Sequence, residues 1–407
     1  MTLDEAKARD AADPLRHCRD RFALPDGIIY LDGNSLGALP RSTAPAVADL
    51  VERQWGEHLI TSWNRHRWIE APRRLSAKLA PLIGAAPTEI AVCDSTSVNL
   101  FKLLGAVLSA RPGRRTILTE AGNFPTDLYI AEGVAGLIPE AHVKAVERDD
   151  LEGALDDDVA VLMLTHVDYR SGARHDMAAL SAAATSTGAL SLWDLSHSAG
   201  ALALDLNGSG ADLAVGCGYK YLNGGPGAPA FLFVADRHQA EMSSPIRGWM
   251  GHASPFAFDA DYQPVAGIDR FLAGTPSIVA MTALEQGIDS FGDVGMSIVE
   301  DKAAALTDYF IDRVSEEAPS LALASPRRAE DRGSHVSLRH PNAYAVMQAL
   351  IARGVIGDVR MPDLIRFGFA PLYNGFEDAW RAAAILGEVI AQESWRDPAY
   401  EVRAAVI

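Results

Sequence analysis

From about residue 87 the chain alternates short apolar runs with alanine-rich amphipathic stretches, and few architectures accept that pattern. Glu89–Ser95 (EIAVCDS) reads as a strand and Val98–Ala110 as a helix. RTILTE is the next strand, followed by a helix near DLYIAEGVAGL. Val159–Val167 (VAVLMLTHV) is an apolar strand, and DMAALSAAATSTG is a helix with a glycine stop at Gly188. ALSLWDLS and ADLAVGCG read as two further buried strands, with APAFLFVA (Ala228–Ala235) a candidate antiparallel one. Strands alternating with helices predict a mainly parallel α/β sheet covered on both faces. Between about Ser243 and Ser277 the alternation gives way to a stretch rich in Gly, Pro and aromatics (RGWMGHASPFAFDADYQP), and long irregular segments of this kind are often functional. Two helices, strands SHVSLR and LIRFGFA, and a last helix around Glu377–Ala391 follow. The expected division is a large domain over 61–275, a smaller α+β domain over 276–407, and an N-terminal segment, 1–60, that packs with the small domain or crosses a dimer interface.

The net charge of −17, from 36 basic and 53 acidic side chains, argues against a nucleic-acid or anionic-membrane surface. Cys18, Cys93 and Cys217 leave one cysteine over in any disulfide scheme, so a reduced compartment is the simpler reading. The first residues, MTLDEAKARDAADPLRH, are charged throughout and lack the apolar core of a signal peptide. No apolar run approaches the ~18–20 residues a membrane helix needs, and no HExxH or CxxC metal motif is present. The expectation is a cytoplasmic protein without a metal, a nucleic-acid partner or a membrane partner.

Lys220, in GCGYKYLNGG, follows Asp194, in LWDLSHSAG, by 26 positions. A lysine after an apolar strand, framed by Tyr219 and Tyr221, can hold an aldehyde as a Schiff base, because desolvation weakens its hold on its proton. An aspartate at the carboxyl end of a strand can hold a pyridine nitrogen in its protonated form. Pyridoxal phosphate (PLP) requires both groups. Plainer alternatives stand beside each: a turn lysine, and an N-capping Asp194 with His197 as a packed histidine. In CDSTSVNLFKLL, Thr96 and Ser97 fall where a strand gives way to a helix, which suits an anion as well as simple capping. After the next strand, Phe124 could stack on a pyridine ring, and Thr126 and Asp127 could reach ring or phosphate. Arg366, alone in the apolar strand LIRFGFA, must pair its charge, either with a substrate carboxylate or with an internal acidic residue.

Together these segments resemble the kynureninase family, PLP enzymes of fold type I. The matching stretches are YLDGNSLG (Tyr30–Gly37), NFPTDLYIAEG (Asn123–Gly133), LTHVDYRSG (Leu164–Gly172), WDLSHSAGA (Trp193–Ala201), GCGYKYLNGGPG (Gly216–Gly227), GWMGH (Gly248–His252), GSHVSLRHP (Gly333–Pro341) and RGVIGDVR…LIRFGFAPLY (Arg353–Tyr373). The resemblance runs from about residue 15 onward. It implies a seven-stranded, mainly parallel sheet and Lys220 as the Schiff-base lysine. Asp194 and Asp127 would contact the pyridine side, with Phe124 stacked on the ring beside Pro125 and Thr126. Thr96, Ser97 and Tyr219 would serve the phosphate, and Thr165 and His197 would lie in the cofactor shell. Trp249 and Thr275 would reach the phosphate from the partner subunit of a homodimer. Arg366 would hold the substrate carboxylate, with Asn34, Trp63 and Gly274 also lining the substrate site. Thr96-Ser97 departs from the Leu-Thr frequent in the family but keeps a hydroxyl at the second position.

The resemblance implies hydrolysis of L-kynurenine to anthranilate and L-alanine, with Lys220 as the base at Cα and Tyr219 as a candidate acid–base group for a later protonation. Trp63, Gly274 and Thr275 match kynurenine-preferring bacterial members. A tryptophan face offers stacking and no acceptor for a ring hydroxyl, so unsubstituted kynurenine is the expected substrate, ahead of 3-hydroxykynurenine. An aminotransferase and a cysteine desulfurase are the nearest alternatives. A desulfurase needs a nucleophilic cysteine well downstream of the lysine, and no cysteine follows Cys217. A non-catalytic relative should lack Lys220 or Asp194, and this chain has both.

Overall fold

The computed structural model describes residues 2–403. Its centre is a seven-stranded sheet formed by β1 (Ile90–Val92), β2 (Thr116–Glu120), β3 (His142–Val146), β4 (Val159–Thr165), β5 (Leu190–Asp194), β6 (Leu213–Gly216) and β7 (Phe231–Val234). The spatial order is β1-β7-β6-β5-β4-β2-β3. The ladders from β3 to β6 are parallel; β7 runs antiparallel to both β6 and β1. Every residue of β4, β5, β6 and β7 is buried, which is why these strands read as continuous apolar runs rather than alternating ones. The edge strand β3 (HVKAV) has no fully buried residue and carries Lys144, so it gave no apolar run in the sequence.

The helices Thr96–Ala110, Pro125–Ala135 and Met177–Thr187 occupy the expected crossovers. Gly188 ends the third in the left-handed conformation, at φ 81°, where a side chain would be strained. Between Ser243 and Ser277 the only helical elements are two short 3-10 turns, Trp249–Gly251 and Ile268–Phe271.

The C-terminal part builds its own antiparallel four-stranded sheet from β8 (Ala322–Leu323), β9 (His335–Arg339), β10 (Asp358–Arg360) and β11 (Leu364–Gly368), in the order β10-β11-β9-β8. A separate apolar core joins this sheet to helices Met296–Glu317, Ala343–Ile351 and Phe376–Ala391. The N-terminal segment belongs to this side of the molecule for part of its length. Asp10, in the helix Leu3–Ala12, accepts from the backbone N–H groups of Phe376 and Glu377 at 2.6 and 2.9 Å, capping the last long helix. Ile29–Tyr30 pairs in parallel with Val355–Ile356. The chain then turns into the large sheet. Gly37 donates its N–H to the Tyr219 carbonyl at 2.8 Å, and a Cβ on Gly37 would lie 2.4 Å from the Lys220 carbonyl. Only glycine permits that approach, so YLDGNSLG acts as a strap across the lysine loop.

Among the described residues no helix is long and apolar enough to cross a membrane.

Candidate active site at the carboxyl ends of the parallel strands

Strands β4 and β5 end at Thr165 and Asp194, which are register partners. The loop after β2 and the helix Pro125–Ala135 bring Asp127 to the same place. Pro125 opens that helix, where its missing N–H costs nothing. Asp194 does not cap a helix. Its Oδ1 accepts from the N–H and the hydroxyl of Ser196 at 2.8 and 2.6 Å, forming a turn. Asp127, buried like Asp194, hydrogen-bonds to it, and Thr165 Oγ1 lies 3.5 Å from Asp127 Oδ2. Burial, with the neighbouring Asp194 charge second, holds the Asp127 carboxyl well above the usual range. Two carboxylates this close in a dry site cannot both ionise without a positive partner, and the pair therefore presents a place made for a protonated nitrogen.

Lys220 follows β6 and is half-buried. Its Nζ donates to His197 Nε2 at 3.0 Å. Burial, then the positive charge of Lys220, pushes the His197 imidazole well below its usual value, so the ring is neutral. Accepting at Nε2 puts the His197 proton on Nδ1, which is buried and has no partner among the described residues. The Tyr219 ring lies 5.9 Å from Lys220 Nζ. Burial raises the Tyr219 phenol, so it stays protonated and acts as a donor rather than a base.

At the edge of β1, the helix Thr96–Ala110 begins with Ser95 as its cap, the hydroxyl accepting from Val98 N–H at 3.4 Å. Capping therefore falls to Ser95, and Thr96 and Ser97 sit half-exposed in the first turn. Phe124 lies edge-on to Tyr169, with ring centroids 5.1 Å apart.

Arg366 is wholly buried on β11, and its partner is internal. Its Nε donates to Asp358 Oδ1 at 2.6 Å and its Nη2 to Asp358 Oδ2. Nη1 donates to the Tyr169 carbonyl, and Nη2 also reaches Ser35 Oγ at 3.1 Å. Asn34, with its amide oxygen turned toward the guanidinium, accepts from Nε and Nη2 at 2.9 and 3.1 Å.

Trp63, Trp249, Gly274 and Thr275 form a further group, of which Gly274 and Thr275 line a cavity with Cys93 and Asp94 at the end of β1. Trp63 packs edge-on against Trp249 at 6.4 Å and against Trp68 at 6.0 Å. Met250 N–H donates to Ala273 O, which brings the Trp249 turn beside the exposed Gly274 and Thr275. Among the described residues no hydrogen bond, ion pair or ring contact joins this group to Lys220, Asp194 or Asp127.

Sequence reasoning did not single out Asn123, Tyr169, His335, Asp358 or Arg360. Asn123 Oδ1 accepts from the Thr165 hydroxyl and fixes the end of β4. His335 lies edge-on to His197 at 5.3 Å, buried, with neither ring nitrogen partnered among the described residues. The signal for Asp358 and Arg360 was available: two opposite charges in the apolar stretch VIGDVR, beside the strand that carries Arg366. The cysteines are all free and buried. Burial pushes the Cys93 thiol up to about 12 and raises that of Cys217, so neither is a ready nucleophile.

A family model described as the kynureninase C-terminal domain matches residues 299–386. A protein named kynureninase from Burkholderia mallei (strain SAVP1) is 51% identical over 413 residues, covering 100% of this chain and 99% of the relative. One from Deinococcus radiodurans is 50% identical over 398 residues, covering 96% and 97%. Among solved structures, an apo cysteine desulfurase from Thermococcus onnurineus NA1 superposes with a TM-score of 0.76 at 20% identity, covering 93% of this chain and 98% of the other. A lysine-to-alanine mutant of C-DES, with glycine covalently linked to its PLP cofactor, gives a TM-score of 0.78 at 17% identity, covering 90% and 98%. At such identities the structures establish the fold, that of PLP enzymes of fold type I.

Proposed function

The chain belongs to the kynureninase family, and from that premise we propose how its residues carry the hydrolysis of L-kynurenine to anthranilate and L-alanine. The cofactor is PLP, and the site fits it. The buried Asp127–Asp194 pair calls for a protonated nitrogen. The Lys220 amine, which has no carboxylate partner among the described residues, is free for an aldehyde. The first turn of the helix Thr96–Ala110 offers N–H groups and hydroxyls to a phosphate. Asp194 and Asp127 would hold the pyridine nitrogen, and Thr165 with His197 would line the ring. Phe124, leading into Pro125 and Thr126, would cover its face. Thr96, Ser97 and Tyr219 would bind the phosphate.

Bound there, PLP supplies the electron sink that lets the substrate lose its Cα proton and break its Cβ–Cγ bond. Lys220 Nζ is the covalent anchor and, once displaced by the substrate amine, the base that takes the Cα proton. His197, neutral and 3.0 Å from Nζ, accepts a hydrogen bond from the amine and holds it in place. Tyr219 donates from a phenol that burial keeps protonated, which suits a phosphate ligand and a proton donor after carbon–carbon cleavage. Arg366, with Asn34 beside it, faces the substrate carboxylate.

The functional unit is a homodimer in which Trp249 and Thr275 serve the second copy's phosphate. The exposed apolar side chains nearby support this. Phe256, 66% exposed, packs on Trp249, and Trp55, Leu59 and Ile60 are exposed on the segment leading to Trp63. The Trp63 face, without a hydrogen-bond acceptor, favours unsubstituted kynurenine over 3-hydroxykynurenine. The chain divides into the segment 1–60, a cofactor domain 61–275 and a small domain 276–407, and it works in the cytoplasm.

The observation that carries this reading is the buried aspartate pair beside Lys220. The test is product analysis: the PLP-loaded protein should release anthranilate and alanine in equal amounts from L-kynurenine with no 2-oxo acid present. Turnover that requires a 2-oxo acid and releases no anthranilate would make it an aminotransferase instead.

A further inference from the structure

A charge count around Arg366 assigns a role to a residue that the reading above leaves out. The Arg366 guanidinium gives Nε and one N–H of Nη2 to Asp358, the other Nη2 hydrogen to Ser35, and one Nη1 hydrogen to the Tyr169 carbonyl. One donor of five remains for a ligand. Asp358 and Arg366 are both wholly buried and together neutral. A neutral pair with a single free donor gives a substrate carboxylate a direction but little net attraction.

Arg360 lies on the adjoining strand β10. Its Nη2 is 2.9 Å from Asp358 Oδ2, and its Nη1 donates to the Val359 carbonyl at 2.8 Å. Its side chain is 30% exposed, whereas those of Arg366 and Asp358 are at 0%. Two guanidinium groups thus share one carboxylate. Asp32, the other acidic neighbour, is raised by burial and by repulsion from Asp358, so Asp358 is the one carboxylate in contact with both guanidinium groups, and Arg360 is the more open of the two. The charge of Arg360 is felt at His197, which touches Lys220, and Tyr169, the residue packed on Phe124, is within electrostatic reach of Arg360.

We propose that Arg360 is a second anchor for the α-carboxylate of the amino-acid substrate, supplying the net charge while Arg366, fixed by Asp358, supplies the direction. This rests on the kynurenine-hydrolysing reading and deepens it. Asp358 is then the residue that keeps both guanidinium groups aimed, and Ser35 locks the strap segment to them through a 2.7 Å bond to Asp358.

The test is steady-state kinetics of PLP-loaded Arg360→Gln and Arg360→Lys on L-kynurenine, with inhibition by kynuramine, the amine that lacks the carboxylate, as the probe for general damage. Arg360→Gln should raise KM by about 10- to 100-fold, the range for losing a charged hydrogen bond, with kcat changed by less than about 3-fold. Arg360→Lys should recover most of the loss. The kynuramine inhibition constant should move less than about 2-fold in either variant, because no carboxylate is there to be held. An unchanged KM in Arg360→Gln overturns the proposal. So does equal weakening of kynurenine and kynuramine, which would mark Arg360 as structural. If the wild type itself releases no anthranilate, the kynurenine reading falls and the anchor falls with it; if the wild type turns over and Arg360→Gln matches it, only the anchor is lost.

Discussion

Asp32 and Asp358 belong to one buried cluster, yet replacing each by asparagine should have opposite consequences. Asp358 is ionised: burial opposes its charge, but Arg366 and Arg360 outweigh that, and the carboxyl lies below its usual value. Asp358→Asn leaves the wholly buried Arg366 without its counter-charge, and breaking a buried pair from one side costs about 3–5 kcal/mol. Asp32 carries the proton instead. Burial and the Asp358 charge push it up to about 7 from 3.8, and its Oδ1 has no partner among the described residues. A raised folded-state value means that the folded protein keeps a proton the unfolded chain has already released, so stability is full below pH 3.8 and is lost as pH rises toward 7. At ~1.4 kcal/mol per unit that loss amounts to about 4 kcal/mol. Asp32→Asn removes the ionisable group and should flatten this slope, matching the wild type near pH 4 and exceeding it above pH 7. Denaturant unfolding of wild type, Asp32→Asn and Asp358→Asn at intervals from pH 4 to 8 measures all three. Equal destabilisation by the two substitutions at pH 6 would refute the assignment of the proton to Asp32.

The Asp127–Asp194 pair should show a similar asymmetry. Burial, then the neighbouring Asp194, raises the Asp127 carboxyl, so Asp127→Asn should lower kcat by less than about 10-fold, whereas Asp194→Asn, removing the carboxylate proposed to hold the pyridine nitrogen, should lower it by about 100-fold or more, read by anthranilate fluorescence. Gly37→Ala would drive a Cβ to 2.4 Å from the Lys220 carbonyl, and should loosen PLP, seen as faster loss of the cofactor on dialysis, while Gly133→Ala, where nothing lies within 4 Å, should retain it.

Much of the large sheet was legible because its central strands are buried on both faces and therefore apolar from end to end. The edge strand His142–Val146 was not, since an exposed edge needs no apolar run. Asp194 stood out because it closes an apolar strand, and Lys220 because it follows one. What the sequence left open at Arg366 was its partner. A strand arginine must be neutralised, but its residue type does not say by what, and Asp358 becomes its neighbour only through the pairing of β10 with β11. The same cross-strand contact brings Arg360 into the cluster. Asn123 and His335 were silent for a different reason: they act by filling buried positions beside Thr165 and His197, and nothing local in sequence distinguishes a buried polar residue that braces a site from an exposed one.

The proposed function rests on Lys220 as the residue that holds PLP and moves the Cα proton in a kynurenine-hydrolysing site. Its most direct test joins two readings on one sample. Purified protein loaded with PLP should show the visible absorbance band of lysine-bound cofactor and, on adding L-kynurenine, release anthranilate. Lys220→Ala should lose both while still binding PLP non-covalently. A wild type that shows no such band after PLP is added, or a Lys220→Ala protein that continues to release anthranilate at the wild-type rate, would contradict it.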